Sequence, residues 1–192
     1  MLSDINENVD YANISGPAAA LIGFAGPGLA NGTLYLVSLV LMRLPSVRAS
    51  ALLSMLVYWF SFMNAANLYD YVPIRTFTAH ADIGHITAGL GIPQWLALIV
   101  FGAPTAAAMW YLFTRTLPLA LTRIGPSSPS RQAVIVTLSV VIMFGFFGLA
   151  GWSGYGAISH ALSAGSLCLV PVMLILCWPT RKWMRACMVS AA

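Results

Sequence analysis

The chain has 192 residues, 59% of them hydrophobic and 7% charged, with a net charge of +4 at pH 7. Soluble domains carry about a quarter charged residues, so this composition, with a mean hydropathy of +0.84, excludes a soluble domain and predicts an integral membrane protein. The basic residues stand as punctuation between apolar runs rather than as a patch, which argues against a nucleic-acid partner and leaves membrane lipid as the first one.

In chain order, residues 1–17 are polar, carry Asp4, Glu7 and Asp10, and have no basic n-region of a secretory signal. Residues 18–178 read as an all-α polytopic bundle of about five spans, and residues 179–192 as a basic tail. The first span is Ala18–Met42, 25 residues without a charge, long enough to cross an apolar core about 30 Å thick. Arg43, Pro45 and Arg48 close it. Ala49–Tyr69 is the second span and ends at Asp70. A polar stretch to His85 follows, read as a loop at the membrane surface. Ile92–Phe113 is the third span, with Pro104 expected to kink it. Residues 115–131 read as a linker. Ala133–Trp152 and Ala157–Trp178 are the fourth and fifth spans, joined by a Gly-rich turn. Cys168, Cys177 and Cys187 lack metal or disulfide spacing and read as packing and tail cysteines.

Lysine and arginine fall unevenly between the loops. The first-second loop has Arg43 and Arg48, the third-fourth Arg115, Arg123 and Arg131, and the tail Arg181, Lys182 and Arg185. Arg75 is alone on the opposite side. The positive-inside rule then places the C-terminus in the cytoplasm and the segment around Arg75 outside.

Three groups of residues carry candidate chemistry. His80, Asp82 and His85 are ligand types for zinc or iron, and Asp82 and His85 share a face if the segment is helical. The alternative is a wet loop. Gly26, Pro27 and Asn31 loosen the first span, and Asn31 needs a polar partner in lipid. Asn64 and Asn67, three apart, share a face near the end of the second span. Antiparallel order allows Asn31 to approach both. Glycines recur every third residue at Gly145, Gly148, Gly151 and Gly154, the pattern of a close helix contact. His160 reads as a polar partner inside the bundle or as a further zinc contributor. Gly151-Trp-Ser153-Gly matches a rhomboid-type serine motif, but His160, seven residues on, is in the wrong place to serve as its base.

Together, Ala25-Gly26-Pro27 with Asn31, and Asn67 with Pro73 and Asp82, resemble the site-2 protease family of intramembrane zinc metalloproteases over about residues 18–90. The resemblance implies zinc held with Asp82 as third ligand, and a cleft lined by Asn31, Asn64 and Asn67. It also implies a zinc site nearer the cytoplasm than the arginine bias allows. The chain departs from the family pattern: Pro27 to Asn31 is one residue longer, Ile83 interrupts the Asp-Gly pair, no His-Glu-x-x-His occurs, and the single glutamate is Glu7. That motif supplies two ligands and the base, so proteolysis by this chain alone is not expected. The other reading is a non-catalytic membrane subunit, or a small transporter, whose polar loop meets another membrane protein or a substrate.

Overall fold

The computed structural model describes residues 14, 16–78, 81–124 and 128–191. Its architecture is 87% helical with no strand among the described residues. Five helices are long and apolar enough to cross a membrane, and they make this a multi-pass membrane protein: α1 (Gly16–Leu41), α3 (Ala51–Ile74), α5 (Gln94–Ile124), α6 (Pro129–Gly151) and α7 (Gly156–Cys177). Three shorter helices accompany them among the described residues: α2 (Pro45–Ala49), α4 (Asp82–Leu90) and α8 (Lys182–Ala191).

Local signals set several helix starts. Ser50 Oγ accepts from Leu53 N at 3.3 Å and Ser128 Oγ from Arg131 N at 3.4 Å, each satisfying a free amide of the first turn. Pro45 and Pro129 occupy first-turn positions, where a missing N–H costs nothing. Gly91 ends α4 at φ +66°, a left-handed conformation that suits glycine. Helices α1, α3, α5 and α6 each contain a widened π-type segment, at Ala25–Gly32, Asp70–Ile74, Leu112–Thr116 and Val141–Phe146. Two of them enclose a proline, Pro27 and Pro73, whose ring cannot fit the regular ladder.

The interior is built from α3, α5 and α6, with Tyr58, Phe62, Leu112, Leu117, Leu121, Val136 and Met143 fully buried. The outer faces show Leu36, Leu52, Ile99, Val100, Trp110 and Phe146. Apolar side chains on both sides of the helix wall are expected where the surroundings are lipid rather than water. Since apolar surface gains little by moving from lipid to protein, buried hydroxyls take over part of the joining. Tyr58 and Ser139 hydroxyls meet at 2.5 Å between α3 and α6. Tyr35 Oη donates to Ala108 O at 2.8 Å, tying α1 to α5. Tyr69 Oη donates to Ser166 Oγ at 2.8 Å, and Ser166 Oγ donates to Phe144 O at 2.8 Å, so one serine of α7 joins α3 and α6.

Three sequence expectations change. The linker assigned to residues 115–131 is largely helix: α5 runs on to Ile124, with Leu117, Ala120 and Leu121 fully buried. The second span continues past Asp70 to Ile74, its charge neutralised within the bundle. The surface loop after it contains α4, which lies along the first half of α1.

The glycine pattern is only half a contact. A Cβ on Gly148 would lie 1.9 Å from Ser166 Oγ, and one on Gly151 would lie 2.8 Å from Ser159 O, both on α7. Gly145 faces nothing but its own helix, and Gly154 has open space at φ +83°. The widened and tightened turns between Val141 and Gly151 break the regular spacing that the sequence pattern presumes.

Candidate functional site

The ionisable residues away from the basic loops gather where α1, α3 and α4 meet. Asp70 is 6% exposed, and its carboxylate sits 2.8 Å from Arg75 Nε. The contact is ionic, without the alignment of a hydrogen bond. The Arg75 guanidinium also lies over two rings, 5.6 Å from the centre of Tyr71 and 5.2 Å from that of Tyr155 in the α6–α7 turn. One arginine therefore clasps the end of α3 to the turn between the last two spans.

Helix α4 brings Asp82 and His85 onto one face, one turn apart. It can lie this close to α1 because both helices offer glycine. A Cβ on Gly89 would lie 2.2 Å from Gly16 O, and one on Gly16 would lie 2.5 Å from Gly89 O. A Cβ on Gly23 would lie 2.5 Å from the Asp82 carbonyl oxygen and 3.3 Å from His85 Cβ. Next along α1, a Cβ on Gly26 would lie 3.3 Å from Asp82 Oδ2. The Asp82 carboxylate thus rests against Gly26, the second residue of the widened segment of α1.

Within that segment Asn31 Nδ2 donates to Gly26 O at 3.0 Å, and Asn67 Nδ2 on α3 donates to Asn31 Oδ1 at 3.2 Å. The Asn31 amide thus finds its partners inside the bundle, as a polar side chain in a membrane span must. Asn64 behaves differently. It is 5% exposed but donates to Phe60 O of its own helix at 2.7 Å, so its amide does not reach Asn31.

Burial raises the Asp82 pKa above the ordinary value, with the positive fields of His85 and Arg75 opposing that rise. A carboxyl whose folded pKa lies above its unfolded one favours the folded chain when protonated. Its contribution is present below the unfolded value, 3.8, and is lost as pH rises through the folded value. Asp82→Asn is accordingly expected to raise thermal stability in detergent at neutral pH and to flatten the fall in stability above the ordinary aspartate range. Equal stability profiles for the two proteins would show that Asp82 is solvated like any surface carboxylate.

The remaining sequence candidates sit elsewhere. His80 lies outside the described residues. Among the described residues no three of His, Cys, Asp and Glu come together as a metal-binding group. His160 is exposed, its Nδ1 is 2.9 Å from Trp152 O, and its ring packs 4.5 Å from that of Trp152. It is therefore a surface contact of the α6–α7 turn and not a polar partner inside the bundle. Ser153, of the rhomboid-like motif, is exposed in the same turn. Sequence reasoning missed the Asp70–Arg75 clasp, although a lone aspartate five residues from a lone arginine was a signal for it. Cys168, Cys177 and Cys187 are all free thiols.

No protein-family model, curated protein or solved structure matches the chain.

Proposed function

We propose that this membrane domain is a site-2-protease-type metal domain that carries the aspartate ligand and the substrate cleft, with cleavage reserved for an assembly that also contains a His-Glu-x-x-His helix. The observation that carries this reading is a convergence. Gly26, Asn31, Asn67 and Asp82 are separated by up to 56 positions, yet they form one continuous set of contacts. These are the positions on which the family resemblance rests.

Asp82 and His85 fit two zinc positions, carboxylate oxygen and imidazole nitrogen, and His80 is the third candidate by sequence. When bound, zinc supplies a Lewis acid and an activated water. Arg75 helps hold Asp82 ionised for that role. The Asn31–Asn67 bond pins α1 to α3 and leaves Asn67 Oδ1 to accept from an extended substrate backbone. The chain contains no His-Glu-x-x-His and no glutamate after Glu7, so it brings no base of that kind itself.

Elemental analysis after zinc loading tests the ligand assignment. The purified protein is expected to hold about one zinc per chain, with loss in Asp82→Ala and His85→Ala, and weaker binding in acid, where protons compete with the metal for its ligands. Equal zinc in all three proteins, or none in the wild type, would return the segment to a non-catalytic subunit whose polar end meets another membrane protein.

The orientation proposed is a cytoplasmic C-terminus, from eight lysines and arginines on one side against one on the other. Alkaline phosphatase fused after Ala192 should be inactive and fused after Thr78 active. The reverse pattern would place the Asp82 cluster on the cytoplasmic side.

A further inference from the structure

We propose that the basic end of the bundle holds a specific site for the phosphate of an anionic membrane lipid, between the end of α1, the widened turn of α5 and the C-terminal helix α8. This is independent of the metal reading, because the two sites share no residue.

The first observation is a charge imbalance. All five acidic residues lie at or before Asp82, and none lies between Asp10 and Asp70 or after Asp82. Arg43, Arg48, Arg115, Arg123, Arg131, Arg181, Lys182 and Arg185 therefore have no acidic neighbour in their own segments, and the ion pair seen among the described residues is that of Arg75 with Asp70. Among the described residues none of the eight has an anionic partner, so an anion from outside can supply their counter-charge.

The second observation is a built cavity of about 140 Å³ at that end, with Arg43 and Arg115 among its walls. The Thr116 side chain, 3% exposed, also lines it, and its Oγ1 is buried with no hydrogen-bond partner. A threonine in a helix usually returns its hydroxyl to a carbonyl of the preceding turn, as Thr105 does with Phe101 O and as Thr114, inside the same widened turn, does with Trp110 O. Thr116 closes the widened turn Leu112–Thr116, and its hydroxyl makes no such bond. A buried hydroxyl left unpaired is costly unless a ligand meets it.

The third observation is the shape of the chemistry. Two guanidiniums and a hydroxyl are a donor set for phosphate oxygens. Arg115 Nη1 is already steered by a 3.3 Å contact to Ser190 Oγ of α8. The other walls include Leu39 and Tyr111, apolar surface continuous with the lipid-facing side of α1 and α5. Free phosphate has no use for such a wall, whereas the glycerol and first methylenes of a lipid do. The geometry thus favours a lipid headgroup held at the level where the spans end.

The test uses the full chain, purified in neutral detergent and stripped of lipid. Native mass spectrometry and thermal melting are followed while phosphatidylglycerol, phosphatidylcholine or inorganic phosphate is added. Phosphatidylglycerol is expected to bind about tenfold tighter than phosphatidylcholine, whose choline cation offsets the phosphate charge and is repelled by the two arginines, and to raise the melting temperature. Arg43→Gln with Arg115→Gln should abolish that preference. Thr116→Val, close in shape and lacking only the hydroxyl, should weaken phosphatidylglycerol binding several-fold while the lipid-free protein melts no lower than wild type. Arg181→Gln with Lys182→Gln, outside the cavity, should leave the preference in place. Equal binding of the two lipids would overturn the site outright, and equal loss in the Arg181 and Lys182 variant would overturn it in favour of diffuse surface charge. Displacement of the lipid by inorganic phosphate would overturn the lipid assignment in favour of a soluble phosphate ligand.

Discussion

Gly148→Leu is expected to lower the melting temperature in detergent by roughly 6–12 °C, the equivalent of about 3 kcal/mol in a chain of this size. The reason lies in what Gly148 touches. A Cβ there would stand 1.9 Å from Ser166 Oγ and 2.6 Å from Ser166 Cβ. The hydroxyl could swing about χ1, but Ser166 Cβ is fixed to the backbone of α7, so the helices themselves must separate. Ser166 also accepts from Tyr69 and donates to Phe144 O. Separation of α6 from α7 therefore strands a tyrosine hydroxyl and a carbonyl in an apolar interior, and the two costs add. Gly145→Leu is the matched control. It lies one turn away on the same helix, and its nearest neighbour is Val141 of its own turn at 3.7 Å, so its melting temperature should stay near that of the wild type. Equal melting of the Gly148 and Gly145 variants would mean that the α6–α7 interface is not a close packing of backbones.

Asp70→Asn is the second large effect, with an expected loss of about 1–3 kcal/mol. Removing one member of a buried ion pair costs more than the pair contributes, because the other charge is left without compensation. Here the full cost is reduced, since the Arg75 side chain is 25% exposed and can reach polar surroundings. The damage should extend beyond α3, because Arg75 also lies over the Tyr71 and Tyr155 rings. Arg75→Gln in the Asp70→Asn background should recover part of the loss, since the stranded cation is then gone. A double-mutant cycle in thermal or denaturant unfolding measures the coupling. Strict additivity of the two substitutions would show that the 2.8 Å contact carries no energy.

These two sites differ in how far they could be read in advance. The repeat of glycine at every third position marks the region of Gly148, but not which glycines face α7. That depends on the widened turns at Val141–Phe146 and the tightened ones at Phe147–Gly151, which rotate Gly145 away. The Asp70–Arg75 clasp depends on the helix continuing through Pro73, against the expectation that a charge ends a span. Asp70 stays inside because its counter-ion follows five residues later and folds back over it.

What the sequence by itself determined is what acts residue by residue or within a turn. Hydropathy sets the five spans, because each apolar side chain gains from lipid wherever its neighbours are. Ser50, Ser128, Pro45 and Pro129 set helix starts through their own backbone chemistry. The approach of Asn31 to Asn67 is also legible, since antiparallel order and helical period suffice to bring them side by side. Only the tertiary structure decided the placement of α4. A nine-residue helix with two glycines in its interior has little intrinsic stability. It forms against α1 because Gly16, Gly23 and Gly89 let two backbones touch, a pairing of positions 59 to 73 residues apart. That contact carries the Asp82 carboxylate to Gly26. At the other end of the bundle, the burial of the Thr116 hydroxyl without a partner is likewise a result of packing that its own segment does not announce.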